Sequence, residues 1–155
     1  MAKRKKIDQS QDQLLFDTPE RLLLDSLILT HDSVVGRFQE LLRGFDVSYT
    51  QYCVLRILAD EGDEGMRTQK LGVRLLTRVP DITRLVDRLL KTGLVKRKRW
   101  KDDKRVVFVS VTKAGRELLD EIEGPMAELQ SATFDHLSEN KQVELNRLLG
   151  ELRKG

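Results

Sequence analysis

A proline at 80 and a glycine at 93 bracket a stretch whose apolar residues, Ile82, Leu85, Val86 and Leu89, recur at i, i+3, i+4 and i+7. That spacing is one face of an α-helix. Pro80 suits the first helical position, where its missing N–H costs nothing, and Gly93 suits a left-handed terminator. The opposite face presents Asp81, Thr83, Arg84, Asp87, Arg88 and Lys91. Arg84 and Arg88, four residues apart, repel in an isolated helix by about 0.2–0.5 kcal/mol. An anionic partner would turn that cost into binding energy.

The flanking segments narrow the topology. Thr68 reads as the N-cap of a short helix through Leu76, with Leu71 and Leu75 inward. Gly72 within it costs about 1 kcal/mol relative to alanine, so close approach of another helix is the expected compensation. A turn over residues 77–79 joins this helix to the next. After Gly93 the pattern changes to strands at 94–100 and 106–111, a hairpin whose tip is Lys101-Asp102-Asp103-Lys104. Upstream, Ser48 with Gln51 forms a capping-box signal, Val47 is placed to staple against Tyr52, and Val54, Leu55 and Leu58 make a core face. The acidic, glycine-containing stretch from Asp60 to Gly65 reads as a loop.

The outer segments have too many apolar positions for one neighbour. A helix starting at Asp17 or Thr18, with Pro19 just inside, runs to Arg43 before Gly44. Leu24, Ile28, His31, Val35, Phe38, Leu42 and Phe45 form one stripe, and Leu23, Leu27, Val34 and Leu41 form a second. A helix buried on two faces needs two partners, one of them in another subunit. After Thr112 a helix is expected to bury Leu118, Leu119, Ile122, Met126 and Leu129, kinked at Gly124-Pro125. A last helix near Ser138 is expected to bury Leu145, Leu148, Leu149 and Leu152. Residues 1–13, with Lys3, Arg4, Lys5 and Lys6 clustered, read as a mobile basic tail. Residues 14–155 then form a single domain, with a lobe at 48–112 between outer helices at 14–45 and 113–155.

Charge singles out the same lobe. The net charge of +3 resolves into +12 over residues 67–116 against −8 over 7–66 and −5 over 117–155, with +4 over 1–6. So concentrated a field outlasts screening beyond a Debye length of about 8 Å, which makes nucleic acid the leading partner. Other classes recede. One cysteine, Cys53, permits no intramolecular disulfide, and with only His31 and His136 it makes no Cys/His metal site. No apolar run exceeds four residues, against the roughly 20 a membrane helix needs. Without a signal-peptide pattern either, a cytoplasmic location is expected. Neither cofactor nor metal is called for. The order of helices, turn, helix and basic hairpin is a winged helix-turn-helix, mainly α with a small β-hairpin. In it the helix after Pro80 enters the major groove and the hairpin reaches the flanking minor groove or phosphates.

The chain resembles the MarR (multiple antibiotic resistance regulator) family of winged-helix transcription factors. The resemblance is carried by Thr68-Gln69-Lys70-Leu71-Gly72, by Asp81 to Leu89, by Gly93-Leu94-Val95-Lys96-Arg97, by Asp103-Lys104-Arg105 at the wing turn and by Val111-Thr112-Lys113-Ala114-Gly115. It covers roughly Ser48 to Met126. Gly72 stands where the family more often has alanine. The resemblance implies a homodimer joined by the N- and C-terminal helices, bound to pseudopalindromic double-stranded operator DNA. It also implies a cleft for a small aromatic or phenolic effector that releases the DNA, as in a repressor. The DNA contacts expected are Arg78, Asp81, Thr83, Arg84, Asp87, Arg88 and Lys91, with Lys101, Asp103, Lys104 and Arg105 of the wing, where Asp103 orients Arg105. Candidate effector contacts are His31, Tyr52 and Arg56.

Each assignment has a competitor. The competing reading of Arg84, Arg88 and Thr83 is a solvated helix face, and that of Asp103 with Arg105 is a polar hairpin turn. Asp102 and Asp103 as Mg²⁺ ligands would make a nuclease, but two adjacent residues in a strand-like turn tend to point apart, no third acid is near in sequence, and Lys101 and Lys104 offer simpler neutralisation. Cys53 is a redox-responsive thiol in one alternative and a small buried hydrophobe in the other. An architectural DNA binder without an effector is the remaining rival. His31 suits a hydrogen-bonded core or interface position as well as a ligand contact, and Tyr49, Tyr52 and Trp100 suit core or bracing positions.

Overall fold

In a computed structural model, the residues described are 18–75, 81–99 and 106–154. Helices α1 (Pro19–Arg43) and α2 (Tyr49–Glu61) lead into strand β1 (Met66–Arg67) and helix α3 (Thr68–Arg74). Helix α4 (Ile82–Lys91), strands β2 (Val95–Arg99) and β3 (Val107–Val111), and helices α5 (Lys113–Phe134) and α6 (Glu139–Leu152) complete the order. The chain divides into two units, residues 1–36 and 37–155. The described part of the first is helix, entered by the Thr18 hydroxyl accepting from the Arg21 amide at 3.4 Å. Its Leu22, Leu23, Leu24, Ile28 and Leu29 are exposed.

In the second unit the core is contributed by every layer of the lobe. Leu42 at the end of α1, Val54, Leu55 and Leu58 of α2, Leu71 of α3, Val86 and Leu89 of α4, Val109 of β3 and Ile122 of α5 are fully buried. The sheet is antiparallel in the order β1-β3-β2, with Met66 opposite Val109 and Val95 opposite Val111. Gly65 precedes β1 at φ +71°, and a Cβ there would lie 2.1 Å from the Val109 carbonyl oxygen, so only glycine lets the strand approach so closely. Helix α2 starts as its capping box predicts. The Ser48 hydroxyl accepts from the Gln51 amide at 3.2 Å, and the Gln51 side chain accepts from the Ser48 amide at 2.8 Å. Gly93 ends α4 at φ +74°.

Several expectations are corrected. Thr68 is the first residue of α3, not its cap. Arg67 holds the cap position without a side-chain bond, because the helix issues directly from β1. Leu75 already leaves the helix. Helix α4 begins at Ile82, with the Asp81 carboxylate accepting from the Arg84 amide at 3.0 Å, so the N-cap is Asp81 and the first helical position is that of Ile82; Pro80 lies outside the described residues. Strand β1 was not anticipated, and Leu94 and Val106 lie outside the strands. At Gly72 a Cβ would sit 4.0 Å from Ile82, an ordinary contact, so no close helix approach demands glycine there. Helix α5 contains Pro125 and buries Leu119, Ile122 and Met126 as expected, whereas Leu118 and Leu129 are only half-buried. Helix α6 buries none of its residues. Leu145, Leu148 and Leu152 are exposed and Leu149 is half-buried, beside Phe134 at the end of α5. The basic tail, Trp100 and the hairpin tip lie outside the described residues.

Candidate nucleic-acid interface

Helix α4 is sharply two-sided. Leu85, Val86 and Leu89 are buried, while Thr83, Arg84, Arg88 and Lys91 are exposed on the other side. The packing of one face therefore fixes which side chains the other presents. Arg88 and Lys91 also stand in the last turn, where the helix dipole favours cations. Asp81 does two things at the opposite end. One oxygen caps the helix and the other lies 3.0 Å from the Arg84 Nε, so the cap also restrains that guanidinium.

Strand β2 lines the helix with further cations. Val95 is buried and Lys96, Arg97, Lys98 and Arg99 are exposed. Alternation along a strand puts Val95, Arg97 and Arg99 on one face, and Arg97 Nη2 reaches Asp87 Oδ1 of α4 at 2.8 Å. Arg97 and Arg99, with Thr68, Gln69, Ile82, Thr83 and Val107, line a concavity of about 590 Å³ between the starts of α3 and α4 and the paired strands. Beside it, Arg67 lies 5.9 Å from the Phe108 ring centre and borders a smaller hollow with Thr68 and Gln69. This is a cationic, hydroxyl- and amide-bearing surface. It can donate many hydrogen bonds to phosphate oxygens and to base edges.

The structure thus brings Asp81, Thr83, Arg84, Asp87, Arg88 and Lys91 together on α4. Arg78, Lys101, Asp103, Lys104 and Arg105 lie outside the described residues. Arg67, Thr68, Gln69, Arg97 and Arg99 border the same surface and were not among the expected contacts. The signal for Arg97 and Arg99 was present in the alternation from Val95. Tyr52 and Arg56 meet one turn apart on α2, the Arg56 Nη1 donating at 3.4 Å to the hydroxyl of Tyr52, a buried residue, in a part-buried hydrogen bond. His31 belongs to the first unit, exposed, with Nδ1 3.1 Å from Asp32 Oδ1. It is not a core histidine within the chain. Tyr49 stacks on Phe38 with ring centres 5.6 Å apart. Burial pushes the half-buried Cys53 thiol above its ordinary pKa, outweighing the hydrogen bond with Tyr49 and the nearby Arg56 charge. Among the described residues no group of three or more His, Cys, Asp or Glu is placed to hold a metal. No described helix is long and apolar enough to cross a membrane.

A short helix and a cation-faced second helix, set against a basic antiparallel wing, define a winged-helix DNA-binding transcriptional regulator. Comparison with known proteins takes this further. The family "Transcriptional regulator SarA/Rot" matches residues 37–122. The HTH-type transcriptional regulator FarR of Neisseria gonorrhoeae is 30% identical over 83% of this chain and 86% of its own. A MarR transcription factor from Planctomyces limnophilus is similar in structure, with a TM-score of 0.69 and 37% identity over 88% of this chain and 98% of its own. A mutant MarR from E. coli complexed with operator DNA shares the fold, with a TM-score of 0.76 at 24% identity over 86% of this chain and 95% of its own. The chain belongs to the SarA/Rot family of transcriptional regulators, winged-helix proteins of the MarR type.

Proposed function

We propose that the protein is a homodimeric repressor that reads a pseudopalindromic duplex through α4 and releases it when a small aromatic or phenolic ligand binds. The observation that carries this reading is the exposed row Thr83, Arg84, Arg88 and Lys91 on a helix whose other face is locked into the core. A rigid element of that kind can read base edges, whereas a mobile charged segment gives chiefly non-specific attraction. Residues 48–112 act as the DNA-binding lobe. The wing contacts, Lys101, Asp103, Lys104 and Arg105 among them, hold the flanking duplex.

The dimer reading is supported by the apolar residues left exposed on α1 and α6, which a second copy would cover through 14–45 and 113–155. The effector reading rests on the family resemblance, with His31, Tyr52 and Arg56 as candidate contacts. The protein acts in the cytoplasm by binding and has no enzymatic activity. The test is a titration of a duplex enriched from a random-sequence pool, with and without a panel of hydroxybenzoic acids. Release by one of the acids is the expected result. Undiminished affinity throughout the panel would contradict the effector and leave an architectural or redox-responsive binder.

A further inference from the structure

The Asp87–Arg97 pair is out of place on a surface built to meet a polyanion. A carboxylate there repels phosphate. Both partners are well exposed, at 45% and 36% for Asp87 and Arg97, so water screens their attraction and the pair adds little to folding. What it does is geometric. Asp87 stands in the middle of α4 and Arg97 in the middle of β2, where Arg97 faces Val109 across the ladder. The 2.8 Å contact therefore ties the groove-facing helix to the wing at one point. It also takes a long cationic side chain out of its many rotamers. A guanidinium has five donors in a rigid fork, and the contact described occupies Nη2. Donors remain for a second acceptor.

We propose that Asp87 is a positioning residue and Arg97 a specificity-determining one. The carboxylate holds the Arg97 guanidinium at the seam between α4 and β2, from which it grips a phosphate bordering the groove that α4 enters. The inference rests on the reading of α4 as the base-reading helix. A phosphate gripped at a fixed offset from α4 sets the register in which Thr83, Arg84 and Arg88 meet base edges. Asp87 thus gives up some general attraction to DNA in exchange for discrimination. Arg97, unlike a lysine at its place, can serve a carboxylate and a phosphate with one planar group.

The experiment titrates the full chain with an operator duplex enriched from a random pool and with a scrambled duplex of equal length, at several salt concentrations. Thermal melts are recorded for every variant. Asp87→Asn is expected to melt like the parent and to bind scrambled DNA as tightly or more tightly. It should bind the operator less tightly, so that the operator-to-scrambled ratio falls by roughly tenfold, the size of one well-placed contact. Asp87→Glu should recover part of the ratio, and Arg97→Lys should lose it while keeping the salt dependence. An unchanged ratio in Asp87→Asn, or equal weakening on both duplexes, overturns the positioning role. A parent that shows no preference between the duplexes overturns the reading of α4 itself, an outcome visible before any variant is made.

Discussion

The lobe and the last helix carry apolar residues at the same kind of spacing, yet the outcome differs. In the lobe Leu55, Leu71, Leu89 and Val109 are fully buried. In α6, Leu148 and Leu152 are 48% and 55% exposed and Val143 is 66% exposed. Local structure is sound in both. The Gln142 amide donates to the Phe134 and Leu137 carbonyls at the α5–α6 turn, and Arg147 pairs with Glu144 and Glu151. The Arg147 hydrogen bond holds the Glu144 carboxyl below its usual range. A fixed helix with an uncovered apolar row differs from a core helix only in where the covering surface comes from. The lobe finds it in its own chain. On the proposed reading, α6 finds it in a second copy.

The comparison can be broken at either end. The largest effect belongs to the lobe: Leu55→Ala removes a side chain with no exposure and should cost about 2–5 kcal/mol in a urea titration. A loss well under 1 kcal/mol, by the same measure of about 2–5 for a filled core site, would mean the core is not packed as described. Leu148→Glu places a charge in the uncovered row and should weaken self-association by more than about 2 kcal/mol. Sedimentation at low micromolar concentration would then show monomer, and an unaltered dimer would remove α6 from the interface.

Effects on DNA should be smaller and leave folding alone. Arg88→Ala, on the exposed face of α4, should cost operator binding about 1–3 kcal/mol with an unchanged melting midpoint. Equal binding at fixed salt would detach α4 from base reading. The smallest effect concerns Cys53. Its thiol is raised by burial, so near pH 8 it holds less thiolate than a free cysteine. Its alkylation should be slower in the folded than in the denatured chain, and faster alkylation when folded would favour the redox-responsive alternative.

How far the sequence could be read follows the same division. The Ser48 capping box, the Gly93 terminator and the two faces of α4 were legible because capping and helical periodicity are local. The N-cap of α4 was misplaced by one signal overriding another: Pro80 suits a first turn, but Asp81 reaches the Arg84 amide. Strand β1 was illegible, since Met66 and Arg67 are too few to alternate and their pairing with Val109 and Phe108 comes from a distant segment. Arg97 and Arg99 were not among the expected contacts, because alternation from Val95 gives their face of β2 but not that α4 packs beside it. For α6, spacing announced an apolar face and not what covers it. The wing turn at Asp103 to Arg105 lies outside the described residues and stays with the proposal.

The central claim is that a rigid α4 reads sequence and that two copies do so together. Enrichment of duplexes from a random pool by the full chain tests both at once. The account predicts an inverted repeat, with half-sites about 10–10.5 base pairs apart or a multiple of that, as two-fold-related recognition helices require. Retention of duplexes without any common motif, with affinity governed by salt alone, would contradict it.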